Sequence, residues 1–259
     1  MKILFFGDIF GRPGRAAVKR FLEENRQKLG VDLVIANSDN VASGRGPTKK
    51  TYQEMLEAGV DVLTAGDHIW DQKEVYEIFE QRDCRLMRPL NYPEDVPGRG
   101  YVSTTTGGHE VLVVSLLGRV WTAEGLDSPF STMDELLSER KEKIIIVDFH
   151  AEATSEKIAI GHYLTGRVSA VLGTHTHVQT ADEKILGEGT AYISDTGQCG
   201  PSNSVIGVEK QQSIKRFRTG LPVAFTPAEG PTQINAVLVE IDPKTGHATK
   251  IKRITELYE

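Results

Sequence analysis

Three short apolar runs near the start of the chain constrain its fold more than any other feature. They are KILFFG (2–7), VDLVIAN (31–37) and DVLTAG (61–66), and each ends in a small or polar residue. Such runs are typical of strands buried on both faces. Helical patterns lie between them, at 14–30 and 48–60, and Gly30 and Gly59 stand where helices end. The order βαβαβ predicts a parallel sheet with right-handed crossovers.

The rest of the chain predicts further strands. Residues 100–118 form two β-rich stretches around Gly107 and Gly108, which indicates a hairpin, and 119–131 is expected to be an irregular surface excursion. The runs at 143–150 and 168–173 enclose a helix near 153–165. The C-terminal third adds strands that we expect to be antiparallel. We therefore predict an α/β fold with two sheets and a single domain over 1–259.

Composition excludes several classes of protein. The chain has 259 residues, 39% of them hydrophobic and 25% charged, which suits a globular protein with a sizeable core. Its net charge of −6 argues against sequence-blind binding of duplex nucleic acid, but not against a small anion held by metal ions. Cys84 and Cys199 lie far apart, so we expect free thiols. The first apolar run is too short for a signal peptide and no stretch reaches a transmembrane length, so we expect a cytoplasmic protein with no membrane partner.

Polar residues recur where the predicted strands end. Ligands of open α/β sheets bind beyond the carboxyl ends of the strands, so these side chains are expected to meet at one edge. Singly, each has an ordinary alternative: an aspartate can cap a helix and a histidine can be a hydrogen-bonded core residue. Together they are too many for that alternative to account for. The set is Asp8, Asp39, Asn40, Asp67, His68, His150, His175 and His177.

The ligand types indicate the metal chemistry. Imidazole, carboxylate and amide oxygen without thiolate suit iron, manganese or zinc. Without His68 the set still has seven candidate ligands, which exceed what one ion takes and point to two ions sharing a carboxylate. Such a pair clamps the attacking and leaving oxygens of phosphoryl transfer and lowers the pKa of bound water towards ~7. We therefore expect attack by a metal-bound hydroxide, without a protein nucleophile.

The order of these residues resembles the calcineurin-like metallophosphoesterase superfamily. More narrowly, the chain resembles the bacterial YmdB-type phosphodiesterases, from the first strand to about residue 207 and more weakly beyond. The motifs that carry the resemblance are GDIFGRPGR (7–15), RPLNYP (88–93), LLGRVW (116–121), VDFHAEATSEK (147–157) and GTHTHVQTAD (173–182). The resemblance implies a four-layer αββα sandwich and hydrolysis of 2′,3′-cyclic nucleotides and related phosphodiesters.

The resemblance also implies a role for each residue. The centre would be a dinuclear iron-type one that also works with manganese, and zinc is a further alternative. Asp39 would bridge the ions, and His68 would be the general acid that protonates the leaving alkoxide, a role suited to histidine. Asp8, Asn40 and His177 would bind one ion, and Asp67, His150 and His175 the other.

Two positions depart from the family pattern. The family usually has glutamate where this chain has Asp39, and asparagine where it has Asp67. A shorter bridge must bring strand two closer or bind asymmetrically. The extra carboxylate at Asp67 should strengthen binding of hard cations and make the metal-bound water less acidic. We therefore expect intact metal binding with an altered metal preference or rate. Phe10 replaces the histidine of the wider superfamily, as this subfamily implies.

Some alternatives stay open at this level. The reaction could be that of a phosphomonoesterase, or the metal site could be a platform in a regulatory protein that binds RNA or nucleotides. A small phosphodiester is the expected partner, and assembly as a homo-oligomer is undecided. Arg45 could meet substrate, and Trp121 could belong to a lid over 119–131 or be a buried anchor. Glu152 and Glu156 are expected to orient ligands or cap a helix rather than bind metal.

Overall fold

Strands and helices alternate along the part of the chain that this computed structural model describes, residues 1–123 and 125–259. The helices there are α1 (Gly11–Leu29), α2 (Lys49–Glu57), α3 (Val75–Phe79), α4 (Pro129–Glu139), α5 (Thr154–Tyr163) and α6 (Lys210–Thr219). The strands are β1 (Lys2–Phe6), β2 (Asp8–Ile9), β3 (Leu33–Asn37), β4 (Val62–Thr64), β5 (Tyr101–Thr106), β6 (His109–Leu117), β7 (Ile144–His150), β8 (Ala170–Thr174), β9 (Lys184–Leu186), β10 (Thr190–Ile193), β11 (Gln198–Pro201), β12 (Thr232–Ile241) and β13 (Ala248–Tyr258).

The strands form two mixed sheets. The first has the order β2-β11-β12-β1-β3-β4, with β13 also paired to β12. Its β1, β3 and β4 are parallel, and β12 runs antiparallel to β1. The second has the order β5-β6-β7-β8-β10-β9 and is parallel from β6 to β10. The parallel strands of each sheet send their carboxyl ends to a common edge.

Three apolar cores give the molecule four layers. The side chains that point out of the first sheet pack against α1, α2 and α3, as Phe6 does against Phe21. The inner faces of the two sheets pack against each other, with Phe5 from β1 and Val113 from β6 in one cluster. The outer face of the second sheet packs against α4 and α5 around Phe149. Burial on both faces explains why the strands are continuous apolar runs.

The predicted α/β fold with two mixed sheets is confirmed, and several elements differ from the sequence-based expectation. β10 pairs with β8 in parallel, so the C-terminal third is not wholly antiparallel. The expected excursion over 119–131 contains the first turn of α4, which begins at Pro129, and its residue 124 lies outside the described residues. The helix α6 was not predicted. Within the described ranges, no helix has both the length and the apolar character needed to cross a membrane.

Candidate metal centre

The carboxyl ends of strands from both sheets converge on one cavity. The first sheet contributes Asp8 on β2, Asp39 and Asn40 after β3, and Asp67 and His68 after β4. The second sheet contributes His150 as the last residue of β7, and His175 and His177 after β8. The structure therefore brings together the whole set that was picked out from strand ends. Carboxylates and the amide come from one sheet and imidazole ligands from the other.

One group of candidate ligands surrounds His150. Its Nε2 lies 3.1 Å from Asp67 Oδ1 and 3.0 Å from His175 Nδ1. His175 Nδ1 in turn lies 3.5 Å from Asp67 Oδ1. Ligand atoms held about 2.0–2.2 Å from a single ion are themselves about 3.0–3.5 Å apart, so this spacing suits one cation.

A second group surrounds His177. Its Nε2 lies 3.0 Å from Asn40 Oδ1 and 3.8 Å from Asp8 Oδ1. The Asn40 amide donates to the Gly44 carbonyl at 3.2 Å, which turns its oxygen towards the histidine. The structure thus separates the candidates into two groups, each with one carboxylate and at least one imidazole.

Asp39 lies where the two sheets meet. Its Oδ2 is 3.4 Å from His150 Nε2, while Oδ1 accepts backbone N–H groups from Gly66 and His68 at 2.6 and 3.1 Å. Glycine is required at 66 because a Cβ there would lie 2.1 Å from the His150 ring. These contacts hold the β4 loop to Asp39 and leave Gly66 close to the His150 ring, which brings Asp67 to its imidazole neighbours.

The electrostatics of the cavity fit cations. Burial, followed by the charges of Asp67 and Asp8, raises the pKa of Asp39 well above its usual range. Burial also acts to raise the pKa of Asp67, but hydrogen bonds with His150 and His175 outweigh it and the pKa falls far below its usual range. Asp8 Oδ1 is buried and has no hydrogen-bond partner among the described residues. Crowded buried carboxylates need compensating positive charge, and the donor set matches what divalent ions accept.

Each histidine ligand candidate is held through its second ring nitrogen. His150 Nδ1 lies 2.9 Å from the Thr174 hydroxyl, and His175 Nε2 lies 3.1 Å from Glu152 Oε2. His177 Nδ1 lies 2.9 Å from the carbonyl of Ile206. Such partners fix the tautomer and leave the other nitrogen free for a metal. The contact of Glu152 agrees with the orienting role expected from the sequence.

A buried carboxylate behind the cavity sets the tautomer of His150. Thr174 Oγ1 donates to Asp148 Oδ1 at 2.7 Å, and Asn37 and Thr64 donate to Oδ2. Because the Thr174 hydroxyl gives its proton to Asp148, it accepts one from His150 Nδ1, which leaves Nε2 bare. Burial raises the pKa of Asp148 more than these hydrogen bonds lower it, and the result is a pKa of about 7. Sequence reasoning missed this role, although an aspartate inside the apolar run IIIVDF was a readable signal.

The loop that carries His175 and His177 is strained and held from behind. Both histidines have positive φ, 100° and 65°, a conformation that costs side-chain-bearing residues of order 1–3 kcal/mol. Lys157 Nζ donates to the carbonyl of Thr174 at 2.7 Å and to Asp195 Oδ2 at 2.6 Å. Asp195 Oδ2 also accepts from the Thr176 N–H at 3.0 Å. This buried ion pair therefore braces the loop, and sequence reasoning missed it.

His68 differs from the other histidines of the cavity. Its Nδ1 lies 2.9 Å from Asp71 Oδ2, and its ring is about one-third exposed and lines the open cavity. The nearby Trp70 packs against Tyr76 and Tyr92, which is a structural role. His68 is thus oriented by a carboxylate and reachable by a ligand.

The structure also shows the surroundings of four residues near the cavity or in the sequence motifs. Arg45 lines the cavity, with its side chain 70% exposed and 3.3 Å from Asp71. Arg15 of the GRPGR segment binds Glu54 and the Val41 carbonyl, so it has a structural role. Trp121 is 79% exposed, which excludes the buried anchor considered from the sequence. Glu156 accepts the backbone N–H groups of residues 119 and 120 and thereby fixes the start of that segment.

Comparison with known proteins places this cavity in context. The family model described as YmdB-like protein matches residues 4–254. The 2′,3′-cyclic-nucleotide 2′-phosphodiesterase of Bacillus subtilis (strain 168) is 46% identical over 256 residues, covering 98% of this chain and 96% of that protein. A crystal structure of a phosphatase from Mycoplasma pneumoniae has a TM-score of 0.94 at 36% identity and covers 99% of this chain and 93% of that one. A 5′-nucleotidase structure from Staphylococcus aureus, at 13% identity and TM-score 0.64, covers 98% of this chain and 54% of that one and shares the fold alone.

Proposed function

Because this chain belongs to the YmdB-like family of calcineurin-like metallophosphoesterases, we propose that it is a metal-dependent phosphodiesterase acting on 2′,3′-cyclic nucleotides or related small phosphodiesters. The observation that carries the proposal is the convergence of carboxylates, an amide and histidines from both sheets on one open cavity. The cyclic-nucleotide activity in the name of the Bacillus subtilis relative supports this choice of substrate, since the likeness covers 98% of the chain.

The ligand assignment follows the two groups of side chains. Asp8, Asn40 and His177 would hold one ion, Asp67, His150 and His175 would hold the other, and Asp39 would be shared between them. The spacing of the ligand atoms and the unpartnered Asp8 oxygen support this assignment. Iron is the proposed metal, with manganese and zinc as alternatives, because the set contains nitrogen and oxygen donors without thiolate. When bound, such ions polarise the phosphodiester and lower the pKa of coordinated water.

The protein's own residues set the direction of proton transfer. In a 2′,3′-cyclic phosphate, the oxygen of water forms a new bond to phosphorus while the bond from phosphorus to O2′ breaks, which yields a 3′-phosphate. His68 gives its Nε2 proton to O2′ as that bond breaks, the proton that the attacking water loses passes to solvent, and His68 regains a proton from solvent before the next turnover. The Asp71 carboxylate, 2.9 Å from Nδ1, orients the ring so that Nε2 is the nitrogen left to face the leaving oxygen.

The remaining contacts hold the cavity in shape. Glu152, Thr174 and the Ile206 carbonyl keep the three imidazole rings oriented, so little reorganisation accompanies binding. We place the protein in the reducing cytoplasm. The free thiols of Cys84 and Cys199 support that location.

Metal analysis combined with a substrate panel tests the proposal. We expect about two metal equivalents per chain, and faster turnover of 2′,3′-cyclic AMP and bis-p-nitrophenyl phosphate than of p-nitrophenyl phosphate. Preference for p-nitrophenyl phosphate would indicate a phosphomonoesterase instead. Tight nucleotide binding without turnover under iron, manganese or zinc would indicate a regulatory protein that uses the site as a platform.

A further inference from the structure

Two exposed phenylalanines lie beside the candidate metal centre. Phe217, near the end of α6, is 83% exposed, and Phe225, in the segment that follows, is 51% exposed. The residue that α6 buries is Ser213, not Phe217. The phenylalanine rings are therefore not part of an apolar core. Large exposed apolar side chains that cluster at a cavity mark a binding surface.

Hydrogen bonds join helix α6, which carries Phe217, to the segment that carries Phe225. The Gln212 side chain donates to Thr226 Oγ1 at 2.9 Å and accepts from the Thr226 N–H at 2.8 Å. The Glu209 N–H donates to the Thr226 carbonyl at 3.0 Å. The helix and the segment after it are therefore fixed relative to each other. We call residues 205–226 the aromatic wall.

The aromatic wall is also tied to the metal centre. The Ile206 carbonyl at its start orients His177, and the rings of Phe10 and His177 pack edge to face with centroids 5.8 Å apart. Residues of the wall, including Phe217 and Phe225, line the same cavity as Asn40, and this cavity has a volume of about 680 Å³. That volume lies within the range of about 300–1,000 Å³ found for small-molecule sites.

The aromatic wall is basic as a segment, and because its four cations lie outside the residues that line the cavity they act on an anionic ligand at longer range. The wall contains four cationic side chains and one carboxylate, that of Glu209. Its net charge is therefore +4 − 1 = +3, whereas the whole chain has a net charge of −6. The cations are Lys210, Lys215, Arg216 and Arg218. A purely apolar partner would gain nothing from this charge, while a ligand with both a phosphate and an aromatic base would use both properties.

We propose that the aromatic wall is the base-binding subsite of the enzyme, with the nucleobase of the substrate packed on Phe217 and Phe225. This inference rests on the proposed function, in which the metal centre would hold the phosphate. The wall would then be the apolar surface that the nucleoside attached to that phosphate meets. Stacking on an aromatic ring tolerates any base. The subsite should therefore distinguish nucleotides from base-free phosphodiesters more strongly than it distinguishes one base from another.

The test compares two substrates with the same reacting ring. Wild-type enzyme, Phe217→Ala and Phe225→Ala are assayed on 2′,3′-cyclic AMP and on glycerol 1,2-cyclic phosphate, which lacks the base and the furanose ring that carries it. We expect the ratio of kcat/KM for the nucleotide to that for the glycerol compound to fall about 10- to 100-fold in each variant, mainly through KM. Phe217→Trp should keep the ratio. Leu257→Ala is the control, because Leu257 is 67% exposed on β13 and does not line this cavity.

Other outcomes overturn the inference. Equal losses on both substrates would mean that the wall supports the metal centre, and an unchanged ratio would mean that the base lies elsewhere. A change of oligomeric state in Phe217→Ala on size-exclusion chromatography would assign the wall to contact between copies of the chain.

Failure of the proposed function gives a different signature. In that case the wild-type enzyme turns over neither substrate, and the metal-loaded protein is titrated with adenosine 3′-monophosphate and with inorganic phosphate by calorimetry. Tighter binding of the nucleotide that is lost in Phe217→Ala would still support the subsite. Equal affinities in the wild type would overturn it.

Discussion

At the residue scale, His68 is a partly exposed histidine oriented by Asp71, and a ring nitrogen also lies within 4.8 Å of carboxylate oxygens of Asp39 and Asp67. We expect His68→Ala to keep its metal content and to lose about 10²–10⁴-fold in kcat, because the leaving alkoxide loses its proton donor. Metal analysis and steady-state kinetics measure the two quantities. The control is His162→Ala, an exposed histidine on α5. Loss of metal in His68→Ala would instead make His68 a ligand.

Asp67 is the residue where the resemblance leads us to expect an uncharged asparagine. Replacing it by asparagine keeps an oxygen donor and removes one negative charge from a crowded site. We expect Asp67→Asn to bind metal more weakly, to change metal preference, and to move the acidic limb of the pH–rate profile to lower pH, because coordinated water becomes more acidic. Metal titration and pH–rate profiles test this, with Asp134→Asn as an exposed control. Unchanged selectivity and an unchanged profile would contradict it.

At the scale of elements, the ion pair between α5 and the end of β10 braces the loop of His175. Lys157 and Asp195 have side chains 3% and 1% exposed, so Lys157→Met leaves a carboxylate buried without its partner. We expect the free energy of unfolding of the metal-free protein to fall by about 3–5 kcal/mol, measured in urea. Lys250→Met, which breaks an exposed pair with Glu240, should cost about 0–1 kcal/mol.

The double variant separates charge from packing at this ion pair. Adding Asp195→Asn to Lys157→Met removes the unpaired charge and should recover part of the lost stability. Metal affinity should fall in Lys157→Met, because the strained loop loses its anchor. If Lys157→Met and Lys250→Met unfold at the same urea concentration, the ion pair does not support the loop.

The sequence predicted elements and ligands that follow from periodicity, and it missed those that depend on distant contacts. Strands buried on both faces are visible in the sequence as apolar runs. The ends of these runs identify the residues at the ends of the strands, such as Asp8 and His150. Lys157 and Asp195 are 38 positions apart, and nothing local pairs them. Helix α6 was missed for another reason: Phe217 faces solvent and the cavity, so the helix lacks the apolar stripe that core packing imposes.

At the scale of the whole molecule, the candidate centre joins the two sheets, so metal binding should stabilise the complete fold. We expect the free energy of unfolding to rise by about 2.7 kcal/mol when free metal is at 100 times its dissociation constant. Urea unfolding with manganese and with a chelator measures the difference. His68→Ala should retain the gain, and Asp8→Asn should lose part of it. A chelator without effect in the wild type would contradict a site shared by both sheets.

The division of the ligands between the two sheets also determines the order in which the ribosome makes them. All the carboxylates of the centre lie at or before Asp67, and the last histidine is His177, so 177 − 67 = 110 residues separate the two. At a synthesis rate of ~5–20 residues per second, the last carboxylate is added roughly 6–22 s before the last imidazole. Once Asp67 is made, a nascent chain therefore has the carboxylates of the centre with His68 but without the three histidines at 150, 175 and 177. Metal loading of the complete centre is then necessarily an event that follows most of translation.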